Sequence, residues 1–286
     1  MTNGEYKKDE VLGVRFNLLT LKEAEVIVER LLSDSQKHYI VTPNPEFVVD
    51  CQQDSGFLEI INNADLAIPD GVGLIFAWRL QGFFYSHSFL IRLLQLICNV
   101  TRLTTAIIFN LPESPVRSRL SGSDLFIELC KLAAQRKYRV FFLGGQEGVA
   151  ERTATYLESR FPGLNIVGTY AGDGNSSGDL QTRSAIGNQE ADLLFVAYGH
   201  PRQEKWIWRN LPKLNVKVAM GVGGAFDFYS GDHPLVKRAP AFLRSLGLEW
   251  FWRLILEPRK RFPRIIKAVV FFPALVYREI LFRRNY

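Results

Sequence analysis

The chain has 286 residues, 47% of them hydrophobic, which allows one large α/β domain with an appendage, or two small domains. Its first residues are polar, unlike a signal peptide, and the roughly 18 uninterrupted apolar residues of a membrane-spanning helix are not found. Three scattered cysteines without metal-ligand spacing predict buried small side chains and a reducing compartment.

The net charge of +6 is concentrated at the C-terminal end. Residues 237–286 contain twelve Lys/Arg and three Glu, a net charge of +9, which leaves −3 for the rest of the chain. Aromatic side chains such as Trp250, Phe251 and Trp252 are interleaved with these cations. This combination predicts an anionic and partly apolar partner, such as a membrane surface. Nucleic acid is not expected, because no nucleic-acid-binding motif accompanies the basic residues.

Predicted strands and helices alternate along the first four-fifths of the chain. We predict strands at 11–16, 39–41, 66–68, 139–145, 165–172, 191–199 and 217–224, separated by helices that include 20–32, 45–63, 72–81 and 146–160. This order indicates an α/β fold with a mostly parallel sheet and helices on both faces. From residue 234 onward strands stop, and we predict helices at 238–256 and 259–276. We therefore divide the chain into a core, 1–233, and a basic helical appendage, 234–286.

Residues 82–115 depart from the α/β alternation. Polar side chains recur there at three- and four-residue steps from Ser88 to Arg102, with apolar residues between them. This spacing predicts an amphipathic helix with a wide apolar face. Two interpretations stay open, a helix of the core and a helix that lies on a membrane or a partner.

Polar residues follow two neighbouring predicted strands at their carboxyl ends. Thr42 and Asn44 follow the strand at 39–41, and Asp70 follows the strand at 66–68. Because ligands of open α/β sheets bind beyond the carboxyl ends of the strands, we expect these three side chains to meet at one crevice. An aspartate in such a turn can be a helix cap, or a base that accepts a proton from a sugar hydroxyl.

Glycine turns follow two other predicted strands, at 144–145 and 221–224. Such turns let backbone N–H groups approach a phosphate, although most are simple turns. Neither has the spacing of a dinucleotide-binding or Walker loop, which disfavours a nicotinamide-dependent oxidoreductase. No D-x-D pair occurs and the four histidines lack ligand spacing, so we expect no metal. Arginines and backbone amides would then neutralise a bound diphosphate.

Several ordered segments together resemble one protein family. The segments are 42–46 (TPNPE), 69–73 (PDGVG), 119–125 (RLSGSDL), 142–145 (FLGG), 197–206 (AYGHPRQEKW), 221–227 (GVGGAFD), 238–240 (RAP) and 247–258 (GLEWFWRLILEP). Over residues 11–264 the chain resembles the TagA/WecG/CpsF glycosyltransferases, which form glycosyltransferase family 26.

The resemblance implies a Rossmann-like core and an inverting, metal-independent glycosyltransferase without a cofactor. Its donor would be a UDP-sugar carrying N-acetylmannosamine, N-acetylmannosaminuronic acid or glucose. Its acceptor would be a polyprenyl-diphosphate-linked saccharide of cell-surface polysaccharide or teichoic acid synthesis, at the cytoplasmic face of the membrane. The resemblance makes Asp70 the catalytic base. The substrate-binding candidates are Thr42, Asn44, Arg119, Gly145, Gly199, Gln203, Gly223, Asp227, Arg253, Arg259, Arg261 and Arg264.

One departure from the family pattern concerns the step from the D-G-x-G helix to Arg119. About 30 extra residues intervene, which is far more than an ordinary loop. They are the amphipathic segment 82–115, which could strengthen membrane attachment or change self-association. The alternative function is a non-catalytic membrane-surface protein that binds a UDP-sugar and transfers nothing.

Overall fold

The computed structural model describes residues 6–83, 85–115, 120–187, 189–231, 239–240, 242–243 and 246–282. The described strands are β1 (Asp9–Val11), β2 (Val14–Phe16), β3 (His38–Val41), β4 (Leu66–Ala67), β5 (Arg139–Gly144), β6 (Asn165–Tyr170), β7 (Leu193–Ala197) and β8 (Val218–Gly221). The described helices of the core are α1 (Leu21–Ser33), α2 (Pro45–Cys51), α3 (Ser55–Asn62), α4 (Val72–Gln81), α5 (Phe89–Ile108), α6 (Gly122–Arg136), α7 (Val149–Arg160), α8 (Asp179–Gly187) and α9 (Arg202–Asn210). The C-terminal region has α10 (Glu249–Leu256), α11 (Pro258–Ile266) and α12 (Phe272–Phe282), with a π-helical turn at Lys267–Phe271 between the last two.

Within the described residues, β3 to β8 form a parallel sheet in the order β4-β3-β8-β7-β5-β6. Its central strands are apolar on both faces, and the side chains of Leu193, Leu194, Phe195 and Val196 in β7 are fully buried. One core lies between the sheet and helices that include α1, α6 and α7, and the other lies against α2, α3 and α9. The predicted α/β fold with helices on both faces of a parallel sheet is confirmed.

Two predicted elements are divided in the structure. The segment 11–16, predicted as one strand, is an antiparallel hairpin of β1 and β2, because Leu12 and Gly13 turn the chain with φ angles of 51° and 82°. The helix predicted at 45–63 is two helices. Its break lies where the Asp54 side chain accepts the N–H of Phe57, at 2.9 Å, and caps the start of α3.

The amphipathic segment forms α5, a helix of 20 residues. Only Arg92, Leu96, Leu103 and Ala106 of this helix are buried, and it packs against α4 and α12. Of the helices in the described ranges, α5 alone is long and apolar enough to cross a membrane by length and composition, with a mean hydropathy of 1.3. Its apolar residues are interrupted by Arg92, Gln95, Asn99 and Arg102, so the expectation that no uninterrupted apolar stretch of this length occurs is not contradicted. As a packed helix, α5 has one edge in the core and a broad face exposed.

The C-terminal helices pack on the same side of the sheet as α2. Phe272, Val276 and Ile280 of α12 are buried at four-residue spacing and belong to the same core as Phe47 of α2. Because α12 also contacts α4 and α5, the appendage is joined to the core by apolar packing.

Candidate active site

A polar cavity of about 470 Å³ lies beyond the carboxyl ends of β3, β5, β7 and β8. Each strand contributes the residues that directly follow it, because parallel strands end at the same edge of the sheet. The cavity therefore joins predicted site residues that are far apart in sequence. Those that line it are Thr42, Asn44, Asp70, Gly145, Gly199, Gln203, Gly223, Asp227, Arg253, Arg261 and Arg264.

Asp70 lies half-buried in the turn between β4 and α4. Its backbone N–H donates to the carbonyl oxygen of Pro43, at 2.8 Å, which joins the turn after β4 to the turn after β3. Its Oδ1 accepts the N–H of Gly122 in the first turn of α6, at 3.3 Å. Since α4 also begins at Val72, the N-terminal ends of two helices lie beside this carboxylate. Helix N-termini carry partial positive charge, which suits an anionic side chain or ligand.

A second cavity, of about 300 Å³, meets the polar cavity at Asp70. Both cavities are lined by Asp70, Asn44, Ser123 and arginines of the C-terminal helices. The walls of the second are mainly apolar and include Val72 and Trp250, so we call it the apolar cavity. A carboxylate in a wall shared by two cavities can contact two different substrates at once.

Thr42 and Asn44 belong to the turn that leads from β3 into α2. The Oδ1 atom of Asn44 accepts the N–H groups of Glu46 and Phe47, at 2.9 and 3.2 Å, and so caps α2. The Nδ2 amino group is then the part of Asn44 that is chemically suited to bind a ligand acceptor. Thr42 lies against α6, because a Cβ atom added at Gly122 would be 3.0 Å from the Thr42 methyl carbon.

Gln203 is buried in the first turn of α9 and connects two glycine turns. Its Oε1 accepts the N–H of Gly199, at 3.1 Å, and the N–H of Gly223, at 2.9 Å. Its Nε2 donates to Glu204, at 2.6 Å. The N–H of Gly145 donates likewise to a protein acceptor, the carbonyl oxygen of Ala197, at 3.1 Å. The three glycine N–H groups thus hold the cavity's shape, and the glycines contribute space by lacking a Cβ atom.

Three arginines of the C-terminal helices line both cavities. Arg253 lies 4.5 Å from the ring centre of Phe228, and burial together with the charge of Arg261 lowers its pKa. Arg261 bonds Glu257 of the same helical segment, with Nε 2.9 Å from the carboxylate. Arg264 donates from Nε to both carboxylate oxygens of Glu46, at 3.0 and 2.8 Å. This row supplies positive charge to the region where the cavities meet.

The remaining predicted site residues have different positions. Asp227 lies in the short helical segment after β8 and lines the polar cavity. Arg259 is exposed and lines neither cavity, because it faces away from the side of α11 that carries Arg261 and Arg264. Arg119 lies outside the described residues.

A cluster of ionisable side chains beside the polar cavity was not predicted. His200 stacks on Phe47, with ring centres 4.0 Å apart, and its Nε2 lies 2.8 Å from Asp50. Asp50 also accepts a bond from Lys267 of the C-terminal region, at 2.6 Å. Burial would raise the pKa of Asp50, but the hydrogen bonds from His200 and Lys267 outweigh it and lower that pKa. One potential ligand atom from each of Glu46, Asp50 and His200 lies within 4.8 Å of the others, a spacing that could hold a metal ion. The two carboxylates, however, already bond Arg264 and Lys267.

The sequence signal for this cluster is the four-residue spacing of Glu46 and Asp50, which puts both carboxylates on one face of α2. Their cationic partners Arg264 and Lys267 are more than 200 residues away in the chain. The cluster therefore joins the C-terminal helices to α2, the helix that begins beside the polar cavity.

Comparison with known proteins finds one matching family model and several similar proteins. The family model described as the glycosyl transferase WecG/TagA/CpsF family matches residues 10–102 and 96–286, two segments that overlap within α5. Relatives from Bacillus spizizenii and Bacillus subtilis are each 31% identical to this chain, over 84% and 78% of it and 81% and 76% of their own lengths. A relative from Staphylococcus aureus is 28% identical over 92% of this chain and 90% of its own length.

Each of these three relatives is named N-acetylglucosaminyldiphosphoundecaprenol N-acetyl-beta-D-mannosaminyltransferase. The family model covers nearly the whole chain, and the relatives cover most of it at this level of identity. With a carboxylate between two cavities and a row of arginines beside it, the chain belongs to the WecG/TagA/CpsF family and is a glycosyltransferase.

Proposed function

We propose that this enzyme transfers a sugar from a UDP-sugar to a polyprenyl-diphosphate-linked saccharide, with Asp70 as the general base. The observation that carries the proposal is the position of Asp70 in the wall shared by the polar and apolar cavities. A glycosyl transfer needs a base beside both the acceptor hydroxyl and the anomeric carbon of the donor.

The polar cavity is the proposed donor site. It lies at the sheet edge where α/β proteins bind nucleotides, and its glycine turns leave room for a diphosphate. Gln203 keeps the turns at Gly199 and Gly223 in place, and Asp227 lies after the second of them. The arginine row faces the end of this cavity near Asp70, where charge develops on the departing UDP.

The apolar cavity is the proposed acceptor site. Ile265, Ala268 and Val269 form part of its wall, and Arg261 and Arg264 line the same cavity. This pairing of cationic and apolar groups fits a diphosphate that is attached to a hydrocarbon chain. A saccharide carried on such a diphosphate could present its free hydroxyl to Asp70.

In the proposed reaction, the Asp70 carboxylate takes the proton of the acceptor hydroxyl. The hydroxyl oxygen forms a bond to the anomeric carbon while the bond from that carbon to the UDP oxygen breaks. Attack from the side opposite UDP inverts the anomeric centre. Arg253, Arg261 and Arg264 offset the negative charge of the diphosphates, so the proposal requires no divalent metal ion.

The names of the relatives favour N-acetylmannosamine as the transferred sugar and a GlcNAc-diphosphopolyprenol as the acceptor. N-acetylmannosaminuronic acid and glucose remain the other candidates for the donor sugar. The test is a screen of UDP-sugars with a short polyprenyl-diphosphate-GlcNAc analogue, read by mass spectrometry with and without EDTA. The proposal expects one UDP-sugar to give a product whose mass exceeds that of the acceptor by one transferred sugar residue. The rate should be equal with and without EDTA.

Binding of a UDP-sugar without transfer to any acceptor would favour the alternative, a non-catalytic binding protein. Loss of the product in EDTA would contradict the metal-independent mechanism. Inversion is checked separately, by the anomeric coupling constant of the product.

The proposed place of action is the cytoplasmic surface of the membrane, where the enzyme binds peripherally through its basic C-terminal region. The net charge of +9 over residues 237–286 supports this location. Deletion from about residue 234 onward should release the protein from anionic vesicles and remove most activity. Because Lys267 and Arg264 bond α2, such a deletion also disturbs the core, and point variants are the cleaner test.

A further inference from the structure

The N-terminal half of α5 carries an exposed apolar face. Phe89, Leu90, Ile91, Leu94 and Ile97 have between 48% and 71% of their surface exposed. Soluble proteins seldom expose so many large apolar side chains together, and such patches mark a surface that another molecule covers. The patch lies on α5, which is part of the extra segment 82–115 between two of the family motifs.

This face continues onto the last helix and toward the proposed acceptor site. The rings of Phe89 and Phe282 lie 5.8 Å apart, so the patch crosses from α5 to the end of α12. Along the same helical segment, Val270 and Phe271 are exposed. Val269 next to them is 48% exposed and is also part of the apolar cavity wall. Exposed apolar side chains are therefore found on α5, at the end of α12 and in the wall of that cavity.

Buried polar contacts hold α5 in this orientation. Arg92 is 5% exposed and donates from Nη1 to the carbonyl oxygens of Ile280 and Leu281, at 3.2 and 3.1 Å. These are carbonyl groups of the last turn of α12, which lack partners within the helix. Gln81, at the end of α4, also donates to Glu279 of α12, at 2.6 Å. The exposed face is thus held outward by a fixed scaffold.

Two exposed charged side chains near the patch, Arg102 on α5 and Arg278 on α12, are positive. Residues 83–112 contain no Asp or Glu, and of their two arginines Arg102 is exposed whereas Arg92 is buried. On α12, Arg278 is exposed between the apolar positions Ala274 and Phe282. An apolar face with cations at its border matches the surface of a bilayer that contains anionic lipids.

We propose that the exposed face of α5, with the adjoining end of α12, docks onto a lipid bilayer. The inference rests on the proposed function, since a polyprenyl-linked acceptor has its hydrocarbon chain in the membrane and must reach the apolar cavity. The helix lies along the membrane surface. A spanning arrangement would strip Arg92 of its carbonyl partners and put this cation into hydrocarbon, which is costly.

The native cysteines allow a direct test of docking. Cys51 and Cys130 are buried as expected from the sequence, but that expectation was wrong for Cys98, which is exposed on α5 next to Ile97 of the apolar face. Burial also raises the pKa of Cys51 to about 12, so a thiol reagent at neutral pH reacts selectively with Cys98. The full-length protein labelled there with an environment-sensitive fluorophore is mixed with phosphatidylcholine vesicles with or without phosphatidylglycerol.

The variant is Leu90→Gln/Leu94→Gln, at positions 71% and 63% exposed. The matched control is Val26→Gln/Leu180→Gln, at positions 59% and 74% exposed on α1 and α8. We expect a blue shift of the wild-type label and quenching by a lipid-borne quencher, strongest with phosphatidylglycerol. Sedimentation with vesicles should fall at least about tenfold for the α5 variant and stay unchanged for the control.

Equal vesicle binding by the two variants, or a label that never meets the lipid quencher, would overturn the proposal. A shift from dimer to monomer in the α5 variant, with vesicle binding unchanged, would assign the face to a second copy of the chain and also overturn it. Vesicle binding needs no sugar substrate, so it is independent of the glycosyl transfer. Transfer to a water-soluble short-chain acceptor, which should be equal in variant and control, reports the proposed function separately.

Discussion

Replacing Gln203 by methionine should open the turns that shape the proposed donor site. The methionine keeps the length of the side chain but removes the acceptor of the Gly199 and Gly223 N–H groups and the donor to Glu204. An unsatisfied buried donor costs about 1–3 kcal/mol, and water from the adjoining cavity can relieve part of this cost. We therefore expect Gln203→Met to lower the free energy of unfolding by about 2–4 kcal/mol.

The assay is urea denaturation, together with calorimetric titration of UDP. The affinity for UDP should fall at least about tenfold, since an opening that costs about 1.4 kcal/mol is enough for that change. The control is Gln146→Met, because this glutamine is exposed and lines the same cavity. Its change in unfolding free energy should stay within about 0.5 kcal/mol. If both variants lose the same stability and bind UDP equally, the reasoning about the glycine turns is refuted.

Other contacts give further predictions. Lys267→Met should cost about 1–2 kcal/mol in urea denaturation, because the Asp50 side chain it bonds is 18% exposed. The control Lys205→Met breaks the ion pair with Asp54, which has the same length of 2.6 Å but joins side chains that are both 42% exposed. It should cost less than about 0.5 kcal/mol, and equal losses of stability in the two variants would contradict this reasoning. The pKa of Asp50 is lowered on folding, so its contribution to stability is complete above the ordinary value of 3.8 and is lost as the pH falls below it. Lys267→Met should therefore show a shallower loss of stability below about pH 4, and slopes equal to wild type would disprove the assignment. Gly122→Val should slow sugar transfer at least about tenfold, because the Cβ atom of the valine would lie 3.0 Å from the side chain of Thr42. The control Gly187→Val has open space around its Cβ atom and should change the rate little. Equal transfer rates of the two variants would contradict a tight fit between Gly122 and Thr42.

The fold was predictable because its main signals are local. Apolar runs that end in glycine, proline or small polar residues predicted β3, β5, β7 and β8. Most of the predicted strand ends differ from the observed ends by one to three residues. The hairpin of β1 and β2 was missed, although Gly13 in the middle of the predicted strand was a turn signal. The division of α2 from α3 was not predicted, because the Asp54 cap lies within a longer pattern that is otherwise typical of one helix.

The candidate site was predictable only in part, because its contacts join distant segments. The strand-end pattern placed Thr42, Asn44 and Asp70 at one edge, and they line the same cavity. Neither the side-chain bonds of Gln203 to two glycine turns nor the bond of Lys267 to α2 has a sequence signal, because both depend on tertiary packing. The family resemblance predicted that Arg253, Arg259, Arg261 and Arg264 bind substrate. In the structure Arg259 is exposed and lines neither cavity, whereas the other three line both.

The central claim is that the Asp70 carboxylate takes the proton of the acceptor hydroxyl. Asp70→Asn keeps an oxygen that can accept the Gly122 N–H, so the site should retain its shape while losing the base. The decisive measurement is the single-turnover rate of sugar transfer by this variant, with UDP affinity measured on the same preparation. We predict a rate lower by about 10²–10⁴-fold and a UDP affinity within about twofold of wild type. A near-normal transfer rate with intact UDP binding would contradict the account.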